Sequence, residues 1–300
     1  MSQPSAVALK SLTKTYGKTR GIEDITFEIF PGEVLGFLGP NGAGKTTTIR
    51  TLMGLIHATS GSAKILGHDV LISSPQIRMR TGYLPGALNL YKNYTGIELL
   101  RFFAKIRHVN CDEEIFSLAK RLNLDLDKQI TNLSQGNRQK VGVIQAVMHH
   151  PEVLFLDEPT AGLDPMAQRE FELMLDENKK RGVAVMLSSH ALSEVEHLAD
   201  RVAIICDGKL LVVDQISALK AKALRSIDLF FERPISPELF SKIPGVTNVL
   251  VRGTCITCTV VGVETQVLKV AVTNGVSTVQ THEPSLESIF LNLIENSSAP

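Results

Sequence analysis

Hydrophobic positions along the chain fall into two rhythms. Short unbroken apolar runs recur at Val34-Leu35-Gly36-Phe37-Leu38, Val153-Leu154-Phe155-Leu156, Val183-Ala184-Val185-Met186-Leu187 and Val202-Ala203-Ile204-Ile205-Cys206. Runs this short, without polar alternation, read as parallel strands buried on both faces. Between them lie helical periods. Phe171, Met174 and Leu175 share one stripe of a helix predicted from Pro165 to Lys180, which Gly182 closes. A second helix is predicted from Leu192 to Ala199. Asp207-Gly208 predicts a hairpin turn, after which Leu210-Leu211-Val212-Val213 runs back. Strands alternating with helices predict an α/β fold.

The flanks differ. Val7-Ala8-Leu9 and Ile25-Thr26-Phe27-Glu28-Ile29 alternate as strands do, with Tyr16-Gly17 between them and a Pro31-Gly32 turn after them. Ser60-Gly61-Ser62 is expected to break the chain before Ala63-Lys64-Ile65-Leu66, and Ser74-Pro75 to start a short helix. Thr81 to Leu84 reads as a strand running into a Pro85-Gly86 loop. From about Thr95 to His150 the spacing turns helical, first at Ile97, Leu100, Phe103 and Ala104, then at Ile115, Leu118, Ala119 and Leu122. A further helical run goes from Lys140 to Val147, and Pro151 ends it. The plan is one domain over 1–215, with a helical subdomain at about 87–150, and a second domain over 216–300.

That second domain reads as strand Ile227–Phe231, helix Pro237–Lys242, strands Val246–Val251 and Cys255–Val261, helix Val267–Val272 and strand Val276–Thr281. The order β-α-β-β-α-β predicts a ferredoxin-like α+β unit. A last helix carries Leu286, Ile289, Phe290, Leu293 and Ile294 on one stripe, which must bury against its own domain or a partner chain.

Charge narrows the partners. Lys plus Arg number 31, and Asp plus Glu also number 31. No bulk basic excess invites nucleic acid, which is not expected as a partner. Cys111 and Cys206 stand far from the other two cysteines, so no disulfide framework is expected. Cys255 and Cys258 form a C-x-x-C within a strand, where their side chains point to opposite faces, against a metal or redox site. No apolar run approaches the ~20 residues of a membrane span. Met1 to Ser5 lacks the charged and apolar regions of a signal peptide. The expectation is a soluble intracellular chain whose membrane role, if any, comes through a partner.

The candidate chemistry centres on Gly39-Pro40-Asn41-Gly42-Ala43-Gly44-Lys45-Thr46-Thr47, set between the strand at Val34 and a helix opening at Thr48. This is the G-x-x-x-x-G-K-[ST] phosphate loop in its strand–loop–helix context. Gly39, Gly42 and Gly44 let several backbone N–H groups turn into one concavity, and the helix N-terminus adds positive potential. Lys45 can reach the β- and γ-phosphates, and the Thr46 hydroxyl can ligate Mg2+. Asp157 ends the strand from Val153, where a second Mg2+-holding carboxylate belongs. Glu158 beside it can orient or deprotonate a water attacking the γ-phosphate. His190 follows the strand from Val183 on the ligand side of a parallel sheet, within reach of that phosphate.

The ordered set Tyr16, G-P-N-G-A-G-K-T-T, L-S-Q-G-N-R-Q, V-L-F-L-D-E-P, A-G-L-D and S-S-H resembles the nucleotide-binding subunit of ABC transporters, over residues 5–215. It is most like the ATPase subunits of ABC-2-type exporters, whose C-terminal extensions often end much like Glu283-Pro284-Ser285-Leu286-Glu287-Ser288-Ile289-Phe290. The resemblance implies an ATPase using ATP and Mg2+, with Tyr16 stacking on adenine and Gly39 to Thr47 as Walker A. It implies Thr46 and Asp157 at the metal, Glu158 as catalytic base, Lys45 as a catalytic cation, His190 as the switch histidine and Asp164 as the aspartate communicating between subunits. It also implies a head-to-tail dimer, with each ATP sandwiched between one chain's Walker A and the other's Ser134 and Gly136. A separately encoded membrane permease would then be driven from the cytoplasmic face. The alternative is a soluble switch of the same ATPase type acting on a non-transport complex.

Two departures from the family pattern stand out. Gln135 and Asn137 replace residues of the usual L-S-G-G-Q, while Ser134 and Gly136 are kept. Gly86 occupies the place of the loop Gln that usually follows the strand, and glycine offers no side chain to a metal or water.

Overall fold

The computed structural model describes residues 3–17, 19–260, 264–282 and 284–298; Met1, Ser2, Val261 and Glu283 lie outside them. In chain order the strands of the first part are β1 Val7–Tyr16, β2 Thr19–Ile29, β3 Val34–Leu38, β4 Ser60–Ile65, β5 His68–Asp69, β6 Thr81–Leu84, β7 Val153–Asp157, β8 Ala184–Ser188, β9 Arg201–Cys206 and β10 Lys209–Gln215. The helices are α1 Lys45–Leu52, α2 Ser74–Met79, α3 Gly96–Ile106, α4 Asp112–Arg121, α5 Gln135–Val147, α6 Pro165–Lys180 and α7 Leu192–Leu198. Beyond them come α8 Ile216–Lys222, β11 Arg225–Phe231, α9 Glu238–Ser241, β12 Val246–Arg252, β13 Cys255–Val260, α10 Glu264–Thr273, β14 Val276–His282 and α11 Leu286–Ser298. The chain divides into two compact units, Met1–Asp214 and Gln215–Pro300.

The first unit is built on a six-stranded sheet of order β10-β9-β3-β8-β7-β6. β9, β3, β8, β7 and β6 run parallel. The apolar runs explain this placement, because alternate residues of one strand enter different cores. Leu154 and Leu156 pack with helices α3 to α6, whereas Val153 and Phe155 pack with α1, β1 and β2 on the other side. Phe37 and Phe155 are fully buried, each worth about 1.5–3 kcal/mol in removed apolar surface. Asp207 and Gly208 both have positive φ, at 48° and 74°, and turn β9 into β10 as their sequence predicts.

A second, antiparallel sheet of order β2-β1-β4-β5 covers α1. Here local reading fails. β4 starts at Ser60, through the expected Ser-Gly-Ser break, because β1 pairs with it at Lys10↔Ser62 and Thr13↔Ser60. Ladder hydrogen bonds from a long neighbour outweigh weak strand propensity. β1 and β2 likewise extend to Tyr16 and back to Thr19, beyond the short alternating segments.

The helical region is organised by caps. Thr95 and Glu98 form a reciprocal capping box that starts α3, with N–H···O distances of 2.8 and 3.3 Å. Ser134 accepts from Asn137 N at 3.2 Å and starts α5 at Gln135, five residues earlier than the apolar period shows. Past the end of α5, His149 Nε2 lies 3.3 Å from Thr81 O on β6. Arg107, after α3, donates to Arg78 O at 2.7 Å and Thr81 O at 3.3 Å, tying the helical region to the same strand. Burial first, and the Arg107 charge second, pull the His149 pKa from 6.5 down to about 4. Between those pH values the unfolded chain binds a proton that the folded chain refuses. Stability is therefore complete above the unfolded pKa and falls as pH drops through this window, by at most about 3 kcal/mol. Denaturant midpoints of wild type and His149→Gln at about pH 7.5 and about pH 5 check this; the variant is expected to lose less on acidification.

The second unit is a four-stranded antiparallel sheet of order β12-β13-β11-β14, the ferredoxin-like arrangement that its element order predicts. Ile227, Leu229, Ile256 and Cys258 pack with Phe240 of α9 and Val267 and Ala271 of α10. Cys258 is buried and Cys255 half-buried, three residues apart and so on opposite faces. Burial pushes the Cys258 thiol up to about 11, which leaves it protonated and unreactive. The helix α8, unread in the sequence, packs against α11. Leu286 and Ile289 of the α11 stripe are buried.

Candidate functional site

The loop between β3 and α1 is shaped by its glycines. Gly42 and Gly44 take φ of 81° and 110°, in the left-handed region. A side chain at Gly39 would stand 2.3 Å from Ile205 O, so only glycine fits against β9. Gly44 caps α1 with no side-chain hydrogen bond, and no acidic residue occupies the first turn. The first N–H groups of α1 are thus left for an anion, at the positive end of the helix. Lys45 is buried, and its ammonium donates to Gly39 O at 2.6 Å and Pro40 O at 3.3 Å. Burial lowers its pKa, and the charges of Glu158 and Asp157 work against that shift.

Parallel pairing delivers the acids. β7 lies beside β8 with Asp157 opposite Ser188. Asp157 is 4% exposed and accepts from the Ser188 hydroxyl on Oδ1 and from Thr46 Oγ1, at 3.0 Å, on Oδ2. Glu158 follows at φ 53°, unusual for a non-glycine residue, with its N–H held by Ser188 O at 2.9 Å. That turn sends its carboxylate to His190, whose Nδ1 lies 2.6 Å from Glu158 Oε2. Against an ionised carboxylate, Nδ1 carries the proton.

Beside these groups lies a cleft of about 490 Å³, lined by the loop from Asn41 to Thr47 together with Tyr16, Arg50, Tyr83, Gly86, Asp157 and Glu158, and His190 meets that lining through Glu158. Tyr16 is 48% exposed, with the Lys14 ammonium 5.1 Å from its ring centroid. Gly21 makes room for that ring, since a Cβ there would stand 2.9 Å from Tyr16 Cε2. Thr46 and Asp157 present a hydroxyl and a carboxylate oxygen at one point of the cleft. That donor set fits Mg2+, which takes one or two protein oxygens and fills its shell with waters and phosphate oxygens.

Gly39, Pro40 and His190 do not line the cleft but bond residues that do, Lys45 and Glu158. Ser134, Gly136 and Asp164 stand apart from it. They form a second cluster. Gly136 packs so close to the next loop that a Cβ would meet Gly162 O at 2.4 Å. Asp164 caps α6 through Ala167 N at 2.9 Å and pairs with Lys140 Nζ at 2.9 Å, and Lys140 is the main cause holding its carboxyl below the usual range. Gln139 joins the two clusters, donating to Glu158 O at 3.2 Å and Pro159 O at 2.9 Å. Sequence reading gives no role to Lys140, Arg50 or Tyr83, and it takes in Ser188 and Gln139 only as letters of S-S-H and L-S-Q-G-N-R-Q. No spacing signal marks Ser188, because it lies 31 residues from its partner Asp157.

Comparison with known proteins places this geometry. A family model described as "ABC transporter" matches residues 22–161. The chain is 40% identical, over 67% of its length, to the bacitracin transport ATP-binding protein BcrA of Bacillus licheniformis, and the match spans 66% of that relative. It is 34% identical to the Nod factor export ATP-binding protein I of Cupriavidus metallidurans, covering 67% of this chain and 68% of that one. A solved structure of an ATP-binding subunit of an ABC transporter superposes with a TM-score of 0.69 at 28% identity, covering 72% of this chain and 92% of that chain. A dimeric bacterial ABC transporter cassette, MJ0796, shares the fold at a TM-score of 0.65 and 22% identity, covering 70% of this chain and 98% of that one. With the phosphate loop, the two strand-end acids and the cleft between them in place, the chain belongs to the ATP-binding proteins of the ABC transporter family.

Proposed function

We propose that this chain is the ATP-hydrolysing subunit of an ABC exporter, working as a head-to-tail pair on the cytoplasmic face of the membrane and driving a separate permease. The observation that carries the reading is the division of the site. The cleft holds the phosphate loop, Asp157 and Glu158, while Ser134, Gly136 and Asp164 lie in a cluster outside it. A second copy turned head to tail would bring its Ser134 hydroxyl and Gly136 backbone to the first copy's nucleotide. Export as the direction draws support from the names of the bacitracin and Nod factor relatives. No helix among the described residues is long and apolar enough to cross a membrane, and the reading gives the transport path to a partner by family resemblance.

In this reading, which the geometry and the family resemblance support, each residue has a role. The α1 N-terminus and the Lys45 ammonium, on leaving the Gly39 and Pro40 carbonyls, bind the β- and γ-phosphates. Tyr16 stacks on adenine. Thr46 and Asp157 hold Mg2+, which neutralises charge on the phosphate oxygens when bound. Glu158 orients the attacking water and takes its proton. His190 donates from Nδ1 to the Glu158 carboxylate, and its Nε2 donates to the γ-phosphate when the ring carries both protons. Asp164 carries the state of one chain to the other.

Affinity purification of the chain from detergent-solubilised membranes of its own source tests the assembly, with companions identified by mass. A stoichiometric polytopic membrane protein is expected. A soluble complex instead, with none in the membrane fraction, would favour the switch alternative.

A further inference from the structure

The peptide bond that follows Glu158 has one polar handle. Pro159 carries no N–H, so only the Glu158 carbonyl is left to hold it. Glu158 itself stands at φ 53°, ahead of a proline that favours an extended residue before it. Such a backbone persists only where its surroundings fix it. Here three groups do so. Ser188 O accepts the Glu158 N–H at 2.9 Å, and the Ala161 N–H reaches Glu158 O at 3.3 Å. The third is Gln139 of α5, whose Nε2 donates to Glu158 O at 3.2 Å and to Pro159 O at 2.9 Å. Both acceptors are carbonyls, so the amide must present its NH2 to them. Gln139 is buried, and a side chain that long gives up rotamer freedom to be held there. Its neighbours on α5 grip the same loop farther on. Gly136 lies against Gly162 O, and the buried Lys140 pairs with Asp164 at 2.9 Å.

We propose that Gln139 is a positioning residue of the hydrolytic site. Its amide fixes the turn at Glu158 and Pro159, and with it the aim of the Glu158 carboxylate at the attacking water. Gln139 stands on the helix that Ser134 caps and that carries Gly136, so the aim of the base is tied to that second cluster. The proposal rests on the reading of Glu158 as the base.

The test uses the full chain and Gln139→Met, which keeps the length of the side chain and removes both N–H donors. Turnover is read as phosphate release at saturating ATP, and affinity with a fluorescent ATP analogue, each in the wild-type and the Glu158→Gln background. Gln139→Met is expected to lower turnover about five- to fiftyfold, the scale of two hydrogen bonds, while affinity stays within about twofold of wild type. In the Glu158→Gln background the same change is expected to cost less than about twofold, because the base that it aims is already gone. Gln139→Asn keeps the amide but stops one carbon short of the carbonyls. It is expected to show the same pattern, and it carries the test if Gln139→Met gives no cooperative melt. Unchanged turnover would overturn the proposal. So would an equal loss of turnover in both backgrounds, or a loss of affinity as large as the loss of turnover, the marks of a packing role alone. A Glu158→Gln chain with normal turnover would instead overturn the reading of Glu158 as the base, a result distinct from the others.

Discussion

Replacing Glu158 by Gln is expected to lower ATP turnover at least about 10²-fold, roughly 2.7 kcal/mol of barrier, while ATP still binds. The substitution keeps size and shape and removes the proton acceptor. Glu158 sits at positive φ and is anchored through its N–H to Ser188 O. Backbone position is therefore preserved in the variant, and the amide oxygen can still accept from His190 Nδ1. Phosphate release under saturating ATP measures turnover, and equilibrium binding of the fluorescent ATP analogue measures affinity. Near-normal turnover would move the base to another group. Lost binding together with lost turnover would show a structural effect.

Lys45→Ala is expected to weaken nucleotide affinity about 10- to 100-fold, the scale of charge-assisted hydrogen bonds to phosphate. In the structure the ammonium is buried against the Gly39 and Pro40 carbonyls, 2.6 and 3.3 Å away. It thus spans the loop that it is proposed to serve, and it is the cation standing closest in sequence to the α1 N-terminus. Removing it takes the charge from the cradle and leaves the loop carbonyls without their donor. Equilibrium binding checks the first effect, and a melt without nucleotide checks the second. Affinity equal to wild type would place the phosphate cradle elsewhere.

Much of this was legible in the residues themselves. The apolar runs at Val153 and Val183 are buried on both faces as strands of a parallel sheet. The phosphate loop stands in its strand–loop–helix setting, and the strand-end acids stand at its cleft. The β-α-β-β-α-β order of the second unit gave its sheet topology. All of these rest on neighbours in sequence: side-chain period, glycine backbone freedom and the alternation of elements.

What the tertiary structure alone decided depends on residues far apart in the chain. Pairing with β1 makes a strand of Ser60-Gly61-Ser62, against local propensity. Ser188 meets Asp157 because β8 settles beside β7 in one register, and no motif spans the separation of 31 positions. Glu158 and His190, 32 residues apart, meet because two loops leave the same edge of that sheet. Gly86 comes within 3.1 Å of Asp157, measured from a Cβ placed on it, because β6 lies beside β7. The sequence determined which chemistry this protein carries, since reactive groups and backbone freedom are local properties. The fold decided which groups act together, since register and burial arise from hydrogen-bonding and packing partners that no local stretch contains.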